Sequence, residues 1–376
     1  MEKKLKIREY FSEVETTKEH EGYFYNVVEA LIIVILGSLC GLQTVKQINR
    51  WASNERVKEF LSKHFAITKI PCYYWHLCLL KLINPISLNL CFIKWVTSFL
   101  PDKLAGLTIS NDGKSIRSTG KMDKYSSPLH IVSAHLAELG LTFGQKTVDS
   151  KSNEIPALRE LLDLLNIEGC IVVADALHCQ RETAKKIIEG GGDFLLEAKD
   201  NNKKLKQALE NFVHDDALRE TMDTYTTHEK NRGRVEIRTA YTTIDIDWLA
   251  GKEAWPGLVC IGAVNRKVSS KEGETDKWHY YISSRKLTAK ELLRHARLEW
   301  SVETMHWLLD VHFREDFCRV EDKNVQQNLN IIRKIALNSI RNYKKKTGSK
   351  NAFSTIMFDC LMDCEKLLLL LEFGEN

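Results

Sequence analysis

The sequence predicts a mixed α/β fold with a helical region of about one hundred residues in front of it. In residues 1–100, apolar side chains recur at spacings of three and four, as on the buried face of a helix. From about residue 105 the pattern changes to short β-like runs separated by turn signals. The length of 376 residues, with 44% hydrophobic residues and 6 prolines, is enough for about two domains with a large core.

The N-terminal region is predicted to be a helical domain over residues 1–100. Its helices are expected within 24–42, 44–64 and 76–99, with a break near Pro85.

Membrane and secretory functions are disfavoured. The apolar run 27–42 contains Glu29 and is shorter than the roughly 20 residues that a membrane span needs, so it predicts a core helix. The N-terminal stretch 1–11 is too charged for a signal peptide. The ten cysteines include no Cys-x-x-Cys pair, which favours reduced, buried thiols. These features predict a cytoplasmic protein with no membrane partner.

The middle of the chain alternates between predicted strands and helices. Leu139-Gly140 joins the second and third strands as in a hairpin. The resulting order is β-β-β-α-β-α-β. In chain order, the predicted strands are 107–110, 128–138, 141–149, 170–174 and 193–199, and the predicted helices are 153–165 and 178–189.

This order matches a ribonuclease-H-like core, a mixed sheet whose first three strands form an antiparallel meander before helices cross over. Sites in open α/β sheets lie at the carboxyl ends of the central strands. Asp112 follows the first strand and Asp175 directly follows the fourth, so the two carboxylates face each other if these strands are neighbours. Each acid also has a simpler explanation. Asn-Asp-Gly at 111–113 is a strong turn signal, and Asp175 is placed to cap the next helix.

A two-ion phosphoryl-transfer site usually needs a third acid. Strand-like pieces over about 220–285 predict an all-β insertion, and a long helix at 287–313 follows it. Thr288 and Glu291 open this helix as a capping box. Periodicity does not single out one acid on this helix, because glutamates on helices are usually solvated. The acids in question are Glu299, Glu303 and Asp310.

Several long motifs then carry a family resemblance from about residue 10 to 345. They are NDGKSIR, LHIVSAH, GQKTVDSKSNEIPALRELL, IVVADALHCQRETAKKI, GGDFLLEAK, GRVEIR, YYISS and WSVETMHWLLDVHFREDFCRV. The chain resembles the H-repeat-associated (ISAs-type) transposases of bacterial insertion sequences, which belong to the DDE class and have a ribonuclease-H-like catalytic domain. The resemblance places the family's catalytic aspartates at Asp112 and Asp175 and its helical glutamate at Glu303.

The resemblance implies cleavage of DNA at the ends of the element and joining of the freed 3′-hydroxyls to target DNA. Two Mg²⁺ ions, which Mn²⁺ can replace, would lie about 3.5–4 Å apart. Asp112 would bridge them, and Asp175 and Glu303 would each complete one ion's shell. The implied partners are double-stranded DNA, as element ends and as target, and a second copy of the chain in a synaptic complex. The catalytic domain would span 101–350 and a C-terminal helix 351–376. The helical domain 1–100 would be a candidate for binding the element ends.

Basic residues are expected to hold the DNA. The formal net charge is only +4, from 54 basic and 50 acidic residues, so attraction to DNA requires local patches. Contact with phosphate is mainly charge neutralisation and tolerates scattered positions, although each residue could equally be a solvated surface charge. The candidates are Lys114, Arg117, Lys199, Arg232, Arg234 and Arg238.

The chain departs from the family pattern at several positions. Cys72–Trp75 replace a Ser-His-Asp-Thr-like segment, Glu299 replaces a histidine, Asn111 replaces an apolar residue and Asp200 stands where glycine is common. Two alternative functions therefore stay open. One is a weak or inactive DNA-binding descendant of such a transposase, and the other is a metal-dependent nuclease without strand transfer.

Four other residues are predicted to be structural. His130 and His178 lack the spacing of metal ligands, and His306 and Trp307 are expected to pack in the core.

Overall fold

The computed structural model describes most of the chain. No helix within the described part is both long and apolar enough to cross a membrane. Arg232, one of the predicted DNA contacts, lies outside the described residues. So do residues 1–6 of the predicted N-terminal domain and residues 372–376 of the predicted C-terminal helix. The described residues are 7–18, 24–120, 128–148, 153–231, 233–271 and 273–371.

Within these ranges, one mixed sheet of nine strands forms the centre of the structure. The strands are β1 (Thr108–Ile116), β2 (Leu129–Leu136), β3 (Leu141–Val148), β4 (Ile171–Ala174), β5 (Asp193–Ala198), β6 (Asp223–Asn231), β7 (Arg234–Thr243), β8 (Cys260–Ser270) and β9 (Gly273–Ser283). Their order in the sheet is β3-β2-β1-β4-β5-β9-β8-β7-β6. Strands β1, β4 and β5 are parallel, and the other neighbouring pairs are antiparallel.

The segment predicted to be an all-β insertion forms the meander β6–β9. It extends the sheet rather than forming a separate one, because β9 pairs with β5 from Leu195↔Ser283 to Ala198↔Tyr280. The order of β1 to β5 is left intact.

Helices after the first strand connect the sheet and cover it. Helix α7 leads from β3 to β4, and α8 leads from β4 to β5, as the crossovers of the parallel strands. The helices are α7 (Glu154–Asp163), α8 (Arg181–Glu189), α9 (Lys203–His214), α10 (Asp216–Glu220), α11 (Ala289–Leu298), α12 (Ser301–Phe313), α13 (Lys323–Thr347), α14 (Phe353–Met362) and α15 (Lys366–Leu371).

The N-terminal helices share their core with the rest of the chain. Asn26 caps α2, since its side chain accepts hydrogen bonds from the backbone N–H groups of Val28 and Glu29. Helix α2 packs against α13, and α6 packs against β3, so the buried side chains form one continuous apolar cluster. The helices are α1 (Ile7–Phe11), α2 (Val27–Leu39), α3 (Val45–Ala52), α4 (Glu55–Phe65), α5 (Tyr73–Leu82) and α6 (Pro85–Thr97).

Two local expectations were wrong. The chain does not turn at 111–113, because β1 continues to Ile116 with β2 as its partner throughout, and Asp112 pairs with Ser133. The long helix expected at 287–313 is two helices, α11 and α12. The backbone at Trp300 has ψ near 0°, which interrupts the regular helical geometry between them. The ten cysteines are all free, and most are buried, as expected.

Candidate active site

Strand register brings two acids to one edge of the sheet. The parallel pairing of β1 with β4 runs from Thr108↔Ile171 to Asn111↔Ala174, so Asp112 and Asp175 are the next residues on neighbouring strands. Such strands lie about 4.8 Å apart. Asp175 precedes a short 3-10 turn, but its side chain makes no capping hydrogen bond to the described backbone. The capping explanation of Asp175 therefore has no support.

Helix α12 adds a third carboxylate to this edge. Glu303 lies in the first turn of α12, and its side chain lines the same cleft as Asp112 and Asp175. The cleft has a volume of about 410 Å³. Glu299, at the end of α11, also lines it and is largely buried. The structure thus places all three predicted catalytic acids in one cleft, with a fourth beside them.

The electrostatics of this cleft are unusual for carboxylates. Burial raises the pKa of Asp112 to about 6; the Gly113 N–H opposes this rise, whereas Asp175, Glu154 and Glu303 add to it. Burial also raises the pKa of Glu299 to about 8, with further repulsion from Glu197 and Asp175. Glu299 is therefore mainly protonated at neutral pH. The cleft concentrates negative charge that a cation would stabilise.

A buried histidine lies close to the first aspartate. His306 lies on α12, with its Nε2 atom 3.6 Å from Asp112 Oδ2. Burial holds the pKa of His306 well below its usual value, and Lys334 adds to this effect, so the ring is neutral. The packing expectation therefore describes His306 correctly. It is wrong for Trp307, whose exposed fraction is 58%.

Comparison with known proteins agrees with this geometry. The family model described as "Transposase DDE domain" matches residues 105–339, more than half of the chain. This chain belongs to the DDE transposase family. A second model, described as "DDE_Tnp_1-associated", matches residues 8–96.

Relatives of this DDE transposase extend over nearly its whole length. It is 30% identical to "Putative protein YbfL" of Escherichia coli K12 over 90% of this chain and 91% of the relative. The same values hold for "H repeat-associated putative transposase YhhI" of that strain. "Putative transposase YncI" of Escherichia coli O157:H7 is 29% identical over 96% of this chain and 95% of the relative. The family resemblance identified from the motifs is confirmed.

The predicted DNA contacts of the transposase fall into two groups. Arg117 and Arg234 are exposed, and the Arg117 side chain is 84% accessible. Lys199 is half-exposed and pairs with Glu197 at 2.8 Å. Lys114 and Arg238 are 14% and 11% exposed and bind carboxylates of the protein. Arg117 and Arg234 are accessible to a ligand, although Arg117 Nε lies 3.8 Å from Asp316 Oδ2, whereas Lys114 and Arg238 are largely buried and paired.

Sequence reasoning missed a polar cluster next to Asp175. Glu197 lies near the end of β5, which neighbours β4, and it is almost fully buried. Its Oε1 atom lies 2.6 Å from His279 Nδ1, and its Oε2 atom accepts from Lys199. Burial alone would raise the pKa of Glu197, but these two partners outweigh it and lower the pKa. The signal was available, since an acid near the end of a neighbouring strand follows the rule that located Asp175.

Of the three arginines that line the cleft, sequence reasoning predicted Arg238 as a DNA contact and missed Arg266 and Arg297. Arg238, Arg266 and Arg297 line the cleft from β7, β8 and α11. They are bound by Glu229 and Glu236, with Arg238 lying 2.8 Å from Glu236. No local sequence pattern identifies Arg266 or Arg297. Their approach to the acids depends on how strands β6–β9 pair and where α11 docks.

Glu154 was missed as well. It lies at the start of α7 beneath β1, where a Cβ atom at residue 113 would stand 2.6 Å from its carboxyl carbon. A larger residue would require the Glu154 carboxyl to shift, so Gly113 in the Asn-Asp-Gly motif serves close packing and not a turn. His130, predicted to be structural, lies 2.6 Å from Glu154 Oε1 and bonds Ser115.

The donor set suits a hard divalent cation. Mg²⁺ prefers carboxylate oxygens and retains water ligands, and the cleft offers acids from three different elements. The repulsion that raises the pKa of Asp112 is what a bound cation would relieve. As the side chains stand, no group of three or more His, Cys, Asp or Glu residues in the described ranges is gathered closely enough to hold an ion.

Two positions that depart from the family pattern also lie in the cleft. Asn111 is buried in β1 and lines the cleft, as does Glu299. Tyr73 and Tyr74, by contrast, are exposed at the start of α5. The departures therefore fall both beside the candidate site and on the N-terminal surface.

Proposed function

We propose that this DDE transposase cleaves the ends of a bacterial insertion sequence and joins the freed 3′-hydroxyls to target DNA by two-metal phosphoryl transfer. The observation that carries the proposal is the meeting of Asp112, Asp175 and Glu303 in one cleft, although they come from two strands and a helix separated along the chain. Family membership supports the same reaction class.

The fold supports a ribonuclease-H-like catalytic domain. The order β3-β2-β1-β4-β5, with an antiparallel meander followed by parallel crossovers, is the arrangement that such a core requires. In this proposal the catalytic domain spans 101–350, including the meander β6–β9. The helices before residue 100 bind element ends, and 351–376 add a C-terminal helical segment.

The three acids would hold the metal ions. Asp112, Asp175 and Glu303 would supply carboxylate oxygens to two Mg²⁺ ions, for which Mn²⁺ would substitute. When bound, such ions activate the attacking oxygen and stabilise the leaving oxygen. His306 packs beside the Asp112 carboxylate, and the Glu197–His279–Lys199 cluster lies beside Asp175 in the cleft.

Exposed basic residues would hold the DNA backbone around this cleft. Arg117 and Arg234 are the strongest candidates because their side chains are accessible. Lys199, Arg232 and Arg238 remain in the proposal as residues near the cleft or on the hairpin next to it. Lys114 does not, since its ammonium group already binds two carboxylates. A homodimer would bring two DNA ends together.

The proposal is tested with linear DNA that carries the natural flanks of this coding sequence, labelled at its 3′ ends, and a target plasmid. We expect Mg²⁺-dependent cleavage and joining by the wild type. Asp175→Asn should lose both, because it removes a ligand charge. The control Asp163→Asn changes an exposed acid of α7 outside the cleft and should retain both.

Three outcomes contradict the proposal. Cleavage without joining would make the protein a nuclease. Binding without cleavage, in Mg²⁺ and in Mn²⁺, would make it an inactive DNA-binding descendant. Equal activity of Asp175→Asn and wild type would remove Asp175 from the site.

A further inference from the structure

A buried ion-pair cluster joins the strand that carries Asp112 to the helix that carries Glu303. Lys114 Nζ on β1 lies 2.6 Å from Asp310 Oδ1 and 3.1 Å from Glu315 Oε2. The Glu315 side chain is 1% exposed. Its other oxygen accepts a hydrogen bond of 2.6 Å from Asn330 Nδ2 on α13. Three parts of the fold therefore meet at one ammonium group.

The positions of Lys114 and Asp310 place this cluster next to two of the candidate catalytic acids. Side chains two apart on a strand project to the same face, so Lys114 stands beside Asp112 on the face that meets α12. Residues seven apart on a helix also share a face, so Asp310 is about two turns along α12 from Glu303. The Lys114–Asp310 ion pair therefore lies next to the space between Asp112 and Glu303.

We propose that Lys114 is a positioning residue that docks α12 on β1 so that Glu303 faces Asp112 and Asp175. This inference rests on the proposed function, because it assigns Lys114 to the assembly of that metal site. Lys114 acts through Asp310 and Glu315 and does not touch the substrate. Its role differs from the phosphate contact that its place in the sequence suggests.

Because the cluster is buried, its charges are stable only while they are paired with one another. Lys114 gives up most of its hydration, and only the two carboxylates compensate for that loss. Removing the ammonium group leaves two acids unpaired between β1 and α12, and the helix is expected to move away to let water reach them. A surface pair such as Lys146–Glu160 on β3 and α7 has no such consequence, because both partners are partly solvated.

The test measures binding of Mn²⁺ alone by the full-length chain, using electron paramagnetic resonance. The variants are Lys114→Met, Lys114→Gln and Asp310→Asn, with Lys146→Met as the matched control. By charge alone, loss of Lys114 should strengthen cation binding, and loss of the Asp310 charge should weaken it. Positioning predicts weaker binding in both cases, by about tenfold or more, as for residues that support metal ligands. Lys146→Met should match the wild type.

DNA binding in EDTA separates positioning from phosphate contact. We expect Lys114→Met to bind DNA within about twofold of the wild type, with the same dependence on salt. A salt slope reduced by about one unit would make Lys114 a phosphate contact and overturn the proposal. If Lys114→Met binds Mn²⁺ more tightly than the wild type, Lys114 affects the site only through its charge. That result would also overturn the proposal. If Lys114→Met does not fold, Lys114→Gln, which keeps a hydrogen-bond donor, gives the same comparison.

Hydrogen exchange keeps this inference separate from the proposed function. In EDTA, backbone amides of α12 should exchange faster in Lys114→Gln than in the wild type, whereas those of α7 should not change. Unchanged exchange in α12 contradicts positioning. A wild type that binds Mn²⁺ but neither cuts nor joins DNA refutes the proposed function and leaves the comparison of variants valid.

Discussion

The two walls of the cleft carry opposite charges and differ in how those charges are compensated. On the wall formed by β1, β4 and α12, carboxylates face other carboxylates. Burial and this repulsion raise the pKa of Asp112 to about 6 and that of Glu299 to about 8. Repulsion between these carboxylates therefore makes the charged form of this wall unfavourable.

On the opposite wall, each arginine already has an acidic partner. Arg238 lies between Glu229 and Glu236, while Arg297 binds Glu229 and Arg266 binds Glu236. Arg266 also lies over the Trp300 ring, 5.6 Å from its centre. This network is complete without a ligand.

Whether a charged group has a partner within the chain distinguishes structural groups from candidate ligand-binding groups better than the sign of its charge does. A paired network stabilises the docking of the meander against α11, and nothing in it requires a further partner. A set of like charges is unfavourable unless something outside the chain compensates for it, so the acidic wall is where a cation should bind. The predictions below test this contrast.

The largest effect should come from the acidic wall. Glu303→Gln removes a proposed ligand charge and should reduce Mg²⁺-dependent cleavage at least about 100-fold, since even residues that only support metal ligands cost 10- to 100-fold. Glu299→Gln should cost less than about tenfold, because Glu299 is already mainly neutral at pH 7. Cleavage rates of the two variants on one end-containing DNA measure this. The reverse ranking would move the third ligand to Glu299.

A smaller effect concerns stability and pH. The pKa of Glu299 is raised from 4.5 to about 8 in the folded protein, so between these values the folded state holds more protons than the unfolded state. The free energy of unfolding must then fall as pH rises through this window. Glu299→Gln removes that loss, so its free energy of unfolding relative to the wild type should rise by about 4 kcal/mol between pH 5 and pH 9.

Urea unfolding in EDTA at the two pH values measures this gain. Glu182→Gln, a change at an exposed residue of α8, is the control and should follow the wild type at both. A gain equal for both variants would show that burial of Glu299 has no energetic consequence.

The smallest effect should come from single arginines. Arg117→Ala and Arg234→Ala should each weaken binding of any DNA sequence about 3- to 10-fold and reduce the salt slope by about one unit, because each loses one phosphate contact. Arg238→Ala should change DNA binding less and lower stability more, since its side chain is bound by two glutamates. Titrations at several salt concentrations decide this. Equal salt slopes for all three variants would remove the distinction between the exposed arginines and the buried Arg238.

Local signals were sufficient for much of the fold. The order of β1 to β5 with its crossover helices follows from the alternation of apolar runs and turn residues, which depends on near neighbours in the chain. The meeting of Asp112 and Asp175 follows from one additional rule, that parallel strands end at the same edge. Glu303 needed the family resemblance, because its helix carries three acids that periodicity treats alike.

The missing details depend on how distant parts dock. Glu299 and Trp300 sit at the break between α11 and α12, which no proline or glycine announces. The asparagine-aspartate-glycine turn signal failed at 111–113 because this segment pairs with β2, and Gly113 leaves room for the Glu154 carboxyl of α7. Lys114 was assigned to DNA because its partners on α12 and beyond come about two hundred residues later.

The packing of α2 on α13 affects how the protein is made. Ribosomes add about 5–20 residues per second, so the apolar segment Val27–Leu39 leaves the exit tunnel roughly 15 to 60 seconds before Lys323–Thr347 exists to cover it. During that time the face of α2 that packs on α13 stays uncovered, although α3 and α5 can already cover other parts of the helix. Premature termination before α13 should therefore yield a fragment that depends on chaperones or is degraded.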